Sequence, residues 1–346
     1  MRRIIPISLF VLLLALLLPL LVIYTPELPE PDTPDLPDAY PAGLPLPTPE
    51  APPGPEGPLD AELTLQVLLE NGVHEMTMMD FLQGVVAAEM PAQFHEEALK
   101  AQAVAARTYT LHRKLVTPTP RHPEADVCGD YACCKAFHSV DRLQERWGEG
   151  FEYYRARIAQ AVGETDGVIL LYDDQPILAA FHAASYGHTE ASAAIWGTVP
   201  YLQSVPTHEG ENDVPRFYDS VEMTFSQFRS TALEHLPEAV LDYGRIPYWI
   251  SDITYTDAGR LDRLTIGGVV VAGAEFRRMF SLRSTAIQFT SSAETMTITT
   301  GGHGHGVGMS QFGANAMATE GHTYEEILNW YYTDVVLSRV SALFPQ

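Results

Sequence analysis

The sequence predicts an α+β fold: one catalytic-sized domain with mainly antiparallel strands and short helices. Three observations lead there. Apolar alternation marks short strands joined by tight turns, locally capped helical stretches stand between them, and the two do not alternate regularly as a parallel α/β sheet requires. No internal repeat is visible along the 346 residues, and the 46% hydrophobic content is ample for a real core.

The elements follow in order. Leu63, Leu65 and Val67 alternate as in a strand, and Asn71-Gly72 marks a turn. Asp80 is expected to cap a short helix that stops before Pro91, and a longer helix is expected from about His95 to Val116. Ala98, Ala101, Ala103, Ala105 and Ala106 leave that helix open to close packing on several sides, with Glu96 and Lys100 paired on its wet face. "FEYYRARIAQAVGETDGVILLYDDQPILAAF" reads as helix, strand, hairpin and strand, turning at Asp173, Asp174 and Gln175. "ISDITYTD" and "LDRLTIGGVVVAG" are strand-like, "FRRMFSL" is a short helix, and Thr323 with Glu326 has capping-box spacing.

Ahead of the domain, Arg2 and Arg3 precede about 20 uncharged, mostly apolar residues, the length of a bilayer-crossing helix. Residues 1–24 are therefore expected to form a cytoplasmic stub and transmembrane signal anchor. A cleaved signal peptide has a shorter apolar core followed by small residues, whereas here Tyr24 leads straight into prolines. Residues 25–58 are a proline-rich acidic linker, holding 13 of the 26 prolines and no Lys or Arg. Extended at about 3.1 Å per residue, it reaches on the order of 100 Å. The domain at 59–346 is thus expected at the cell membrane, single-pass, on the extracytoplasmic side.

The net charge of −23 argues against nucleic-acid binding, which needs clustered Lys and Arg. The three cysteines all lie in "RHPEADVCGDYACCKAFHS". His122, Cys128, Cys133 and Cys134 suit a tetrahedral zinc site of the closed, structural kind, with a Cys128–Cys134 disulfide as the alternative. A zinc hydrolase fits poorly, since three sulfur ligands leave little room for an open position.

Glu89, in "GVVAAEMPAQF", is the one charged residue between Asp80 and Glu96. Desolvation and the negative helix end both raise the pKa of such a carboxyl, as a general acid needs. A carboxylate pointing to solvent fits the same pattern. Arg107, among small residues, suits a buried carboxylate partner, a substrate anion or, equally, a side chain that snorkels to the surface. In "GHGHGVGMSQFGANAMA" (302–318) the G-K-[ST] ending of a phosphate loop is absent, and His303 and His305 have no third metal ligand nearby. What remains is backbone brought close to another element or to a ligand, with His305, Ser310 and Gln311 offering hydrogen bonds at a helix start.

Together, "GVVAAEMPAQFHEEALKAQAVAARTYTLHR", "AAFHAASYGHTEASAAIWGTVPYLQSV", "FRRMFSLRSTAIQF" and "GHGHGVGMSQFGANAMATEGHTYEEILNWYY" resemble the stage II sporulation protein D family and its amidase-enhancer relatives, over most of residues 60–340. The resemblance implies a peptidoglycan lytic transglycosylase. Such an enzyme cleaves glycan strands lacking stem peptides between N-acetylmuramic acid and N-acetylglucosamine and leaves a 1,6-anhydro end. It implies Glu89 as the catalytic acid, Arg107, Tyr201, His305, Ser310 and Gln311 as substrate contacts, and structural zinc with no organic cofactor. His122, Cys128 and Cys134 match the family's zinc positions, while Cys133 stands where a His is expected. The implied partners are a cell-wall amidase and a polytopic membrane protein of the engulfment machinery. A non-catalytic, glycan-binding amidase enhancer is the alternative. The family's S-x-S-G-G element is "AASYGHT" here, with Ala183 and Tyr186 as departures.

Overall fold

The computed structural model describes residues 60–344. The anchor expected at 1–24 and the linker expected at 25–58 lie outside the described residues. Among the described residues no helix is long and apolar enough to cross a membrane.

Strands β1 (Thr64–Leu69) and β2 (Gly72–Thr77) form an antiparallel hairpin, Thr64 opposite Thr77. β2, "GVHEMT", has little apolar alternation of its own, so its pairing with β1 makes it a strand. Helix α1 (Met78–Glu89) follows without a loop. Its cap is Thr77, whose hydroxyl accepts the Asp80 N–H, so Asp80 is not the cap. Asp80 sits in the first turn, where its carboxylate accepts a hydrogen bond from the Thr77 hydroxyl at 2.8 Å and meets the positive helix end. Beyond Glu89 the backbone of Met90 is extended, as Pro91 demands of the residue before it.

Helix α2 (Glu96–Leu115) is the centre of the main core, with His95 as its cap. Lys100 does not pair with Glu96. Its ammonium lies 2.8 Å from Glu97 and 2.6 Å from Glu164. Packing brings in a carboxylate that local spacing does not contain. A two-residue strand β3 (Val127–Cys128) runs parallel to β1, and α3 (Val140–Trp147) and α4 (Phe151–Glu164) follow. Strands β4 (Val168–Tyr172) and β5 (Gln175–Pro176) turn on Asp173 and Asp174, both at positive φ, so Gln175 already belongs to the strand.

After β6 (Phe181–His182) the chain leaves the main core and builds a second one. This insertion runs through β7 (Tyr218–Thr224), α5 (Phe225–His235), β8 (Ile250–Tyr255), β9 (Leu261–Ile266), β10 (Val269–Ala272), α6 (Gly273–Met279), β11 (Ala286–Ser291) and β12 (Thr295–Gly301). Its sheets have the orders β10-β9-β8 and β11-β12-β7, all antiparallel, around Phe228, Trp249 and Phe276. The chain then returns through β13 (Met309–Ser310), parallel to β6, into α7 (Gln311–Thr319) and α8 (Tyr324–Tyr331). Both bonds of the Thr323–Glu326 capping box form. Strand β14 (Val336–Arg339) completes the sheet β14-β4-β5. The architecture is the expected α+β one, with mostly antiparallel strands, and α2 packs against α1, α4, α7, α8 and β4.

Candidate functional site

Glu89 ends α1 with its side chain partly accessible and turned against three groups from elsewhere in the chain. Its Oε1 accepts the Ala136 N–H at 3.0 Å, the Gln311 side chain hydrogen-bonds it, and the Lys135 charge lies nearby. Burial nevertheless dominates, and it raises the Glu89 pKa above the ordinary carboxyl value against the opposing pull of these three. The same burial pushes the Lys135 ammonium down to about 8, with Glu89 and Cys134 pulling it back. In the sequence Lys135 follows the cysteines as an ordinary basic residue with no local pattern to mark it.

The glycine-rich segment is a seam of backbone-to-backbone contacts. His303 N–H donates to Ala184, Gly304 N–H to Arg283, Glu190 N–H to Gly306, and Met309 N–H to Ala180. Gly308 has φ +73°, and a Cβ there would stand 2.0 Å from the Ala180 carbonyl oxygen. Gly308→Ala is therefore expected to cost about 1–3 kcal/mol for the backbone conformation alone, with the clash adding to it. A lowered melting temperature by circular dichroism checks this.

The seam positions His305, whose Nδ1 accepts the Val307 N–H at 3.1 Å and whose ring lies 5.0 Å from the half-exposed Trp196. Burial, reinforced by Lys135, Arg277 and Arg260, holds the His305 pKa down to about 3, so the imidazole is neutral. Ser310 caps α7 and is buried, and its hydroxyl donates to the Glu209 carboxylate. It is a positioning group, out of a ligand's reach. Gln311, beside it, is delivered to Glu89 and also donates to Gln102 at 3.4 Å.

Two expected contacts are placed elsewhere. Arg107 is fully buried, with Nε 2.8 and 2.9 Å from the Asp60 oxygens and NH1 donating to Val168 O at 3.1 Å. It is a structural clamp, and the reason is a partner 47 residues away that no local pattern announces. The Tyr201 hydroxyl accepts the Leu178 N–H at 2.9 Å and its ring packs on Tyr172, so its polar atom is held in the scaffold beside β5. A cavity of about 200 Å³ lined by Met76, Gly84, Phe137 and Trp147 does not include Glu89.

The donor atoms of His122, Cys128, Cys133 and Cys134 all lie within 4.8 Å of one another, and the three cysteines are free thiols, not a disulfide. His122 Nε2 is 3.4 Å from Cys134 Sγ, while Nδ1–H donates to Ala125 O at 3.2 Å. That second bond fixes the ring as metal-binding histidines are fixed. Zn–S and Zn–N bonds of about 2.3 and 2.0 Å require donor atoms roughly 3.3–3.8 Å apart, which this cluster can meet. The Cys134 thiol is held below its ordinary value, chiefly by its bond with Cys128, whose own thiol is pushed up.

A desolvated but partly accessible carboxyl at a helix end, bordered by a lysine and a thiol-imidazole cluster on an α+β scaffold, defines the class: a protein organised around a buried-type acid. The chain matches a family model described as stage II sporulation protein (SpoIID) over residues 70–172. It is 34% identical over 272 residues to stage II sporulation protein D of Bacillus subtilis (strain 168), covering 78% of this chain and 77% of that one. The same protein of Bacillus amyloliquefaciens is 32% identical over 274 residues, 79% of this chain and 77% of that one. The amidase enhancer of Bacillus subtilis is 27% identical over 316 residues, 74% of this chain but 40% of the enhancer. The chain belongs to the stage II sporulation protein D family.

Proposed function

We propose that this protein is a membrane-anchored peptidoglycan lytic transglycosylase acting on denuded glycan strands during septal wall remodelling and engulfment in sporulation. The observation that carries the reading is the Glu89 carboxyl itself: its pKa is raised, it is partly accessible, and Lys135, Ala136 and Gln311 act on it with no carboxylate among them. Hydrolytic glycosidases use two carboxyl groups, one of them for water or for the sugar. A transglycosylase needs one.

The proton moves in a closed cycle. Glu89 gives its proton to the glycosidic oxygen as the bond to the muramic anomeric carbon breaks, and N-acetylglucosamine leaves with a free hydroxyl. The muramic C6 oxygen bonds to that carbon and its proton returns to Glu89. No water is consumed, and the acid is regenerated. The Ala136 N–H and the Lys135 charge favour the carboxylate stage, while burial favours the acid stage, so the group is poised between the two roles.

His122, Cys128, Cys133 and Cys134 would hold zinc, which supplies structural cross-linking there and no step of the reaction. Held at Cys134, the segment presents Lys135 and the Ala136 N–H to Glu89. Purified protein is expected to carry about one zinc per chain by elemental mass spectrometry. Cys128→Ser/Cys134→Ser should lose the metal, lower the melting temperature and reduce cleavage; a metal-free wild type of full activity would remove zinc from the account.

The anchor, the extracytoplasmic placement and assembly with a cell-wall amidase and a polytopic membrane protein belong to the same reading, which rests on the sequence of residues 1–58 and on family membership. Likeness to the amidase enhancer supports a second reading, a glycan-binding activator without chemistry of its own. Mass spectrometry of peptide-free glycan strands treated with the full chain separates them. Anhydro-muramic ends support the transglycosylase; binding and amidase stimulation without new ends support the activator.

A further inference from the structure

We propose that Lys135 is a specificity-determining residue that pairs with the lactyl carboxylate of muramic acid at the bond to be cleaved. The inference rests on the glycan substrate of the reading above and deepens it. It starts from a conflict of charge: at −23 overall, the protein's long-range field repels an anionic polymer, so a carboxylate-bearing strand must be recognised by a local cation. Arg107, the basic residue expected to serve, is sealed against Asp60.

Besides Arg283, which lies 3.1 Å from His303 Nδ1 and donates to the Arg216 carbonyl at 2.8 Å, three cations near the glycine seam act on His305: Lys135, Arg260 and Arg277. Arg260 is only 1% exposed and stands against Gly306 from inside the fold. Arg277 is held by the Leu282 carbonyl at 3.0 Å. Lys135 keeps part of its surface accessible and precedes the residue whose N–H binds Glu89, so its charge stands beside the acid.

Its ammonium feels the Glu89 and Cys134 charges but is closed into no ion pair. It lies 3.5 Å from the Phe181 ring centroid and 4.4 Å from that of Tyr109, and none of the ion pairs among the described residues includes it. Two aromatic faces orient a cation while leaving its charge to be met by an anion. A stem peptide converts the lactyl carboxylate into an amide and removes that anion. Lys135 is therefore the group through which the site tells a strand with a free lactyl carboxylate from one that still carries its peptide.

The test is binding by the full-length Glu89→Gln protein, which holds glycan without cutting it. The two probes are peptide-free strands with free lactyl carboxylates and the same strands converted to methylamides. The free acid is expected to bind about tenfold to a hundredfold more tightly, the range of one charge-assisted hydrogen bond. Adding Lys135→Met should make the two affinities equal, and Lys135→Arg should restore most of the difference. Equal affinities with Lys135 intact, or a preference that survives Lys135→Met, overturns the proposal. If Lys135→Met fails to fold, the two probes on the Lys135-intact protein and the Lys135→Gln variant decide it. Anhydro ends from the wild type without any carboxylate preference would sink Lys135 alone. A preference that vanishes with Lys135, in a wild type that makes no anhydro ends, keeps Lys135 and sinks the transglycosylase.

Discussion

Glu89→Gln should lower the release of anhydro-muramic ends by about 10²–10⁴-fold, the contribution of a positioned general acid, while the protein becomes more stable at neutral pH. The two effects share one cause. Burial raises the folded-state pKa of Glu89 above its unfolded value, so between those values the folded state holds the proton more tightly. Stability from this group is fully present below the unfolded pKa and is lost as pH rises through the folded one. As pH rises from the unfolded value toward the folded one, the wild type bears a growing penalty for its desolvated carboxyl. Glutamine keeps an oxygen for the Ala136 N–H and carries no charge. The melting temperatures of wild type and variant should therefore converge on acidification below the ordinary carboxyl range and separate at neutral pH. The wild-type rate should also fall on the alkaline side at a higher pH than an ordinary glutamate allows. An unchanged rate in the variant would remove Glu89 from the chemistry.

Arg107→Ala should destabilise the domain by about 3–5 kcal/mol, the cost of leaving one member of a buried ion pair alone. For a domain of this size that is a drop of roughly 6–20 °C in melting temperature. Arg107 and Asp60 are both fully buried, and the guanidinium also ties α2 to the carbonyls of Val162 and Val168. Asp60 in turn donates its N–H to Asp166 at 2.8 Å, so the pair fastens the chain's entry into the domain to α2 and the start of β4. Asp60→Leu/Arg107→Met should recover much of the loss, because replacing both charges removes the uncompensated one. A substrate contact behaves differently: Arg107→Ala would then leave the melting temperature alone and weaken glycan binding.

Much of the site was legible where its cause is local. Glu89 stood out because it interrupts an apolar helical run, and the structure places it at the helix end against polar partners. The four zinc-type ligands lie within thirteen residues of one another, so a short loop suffices to gather them. The helix start that the sequence predicts at Ser310 is present, but the hydroxyl expected to meet a ligand goes to Glu209, 101 residues away. Gln311 was expected among substrate contacts and sits against Glu89, whereas Tyr201 is held by Leu178 and Tyr172. Lys135 and Trp196 carried no sequence signal of their own, since each acquires its role from rings and charges that other segments supply.

By itself, then, the sequence determined the α+β class, the capped helix starts at Ser310 and Thr323, the isolated acid and the ligand cluster. Capping bonds and hairpin turns close within a few residues, and an apolar run sets its own desolvation. Only the tertiary structure decided which cation faces the acid. Arg107 and Lys135 are both basic residues in weakly charged surroundings, and nothing local separates them. Packing α2 against the domain's entry brings Asp60 to Arg107, and the segment after Cys134 brings Lys135 to Glu89. Long-range pairing follows from which surfaces bury one another, and that is a property of the folded chain alone.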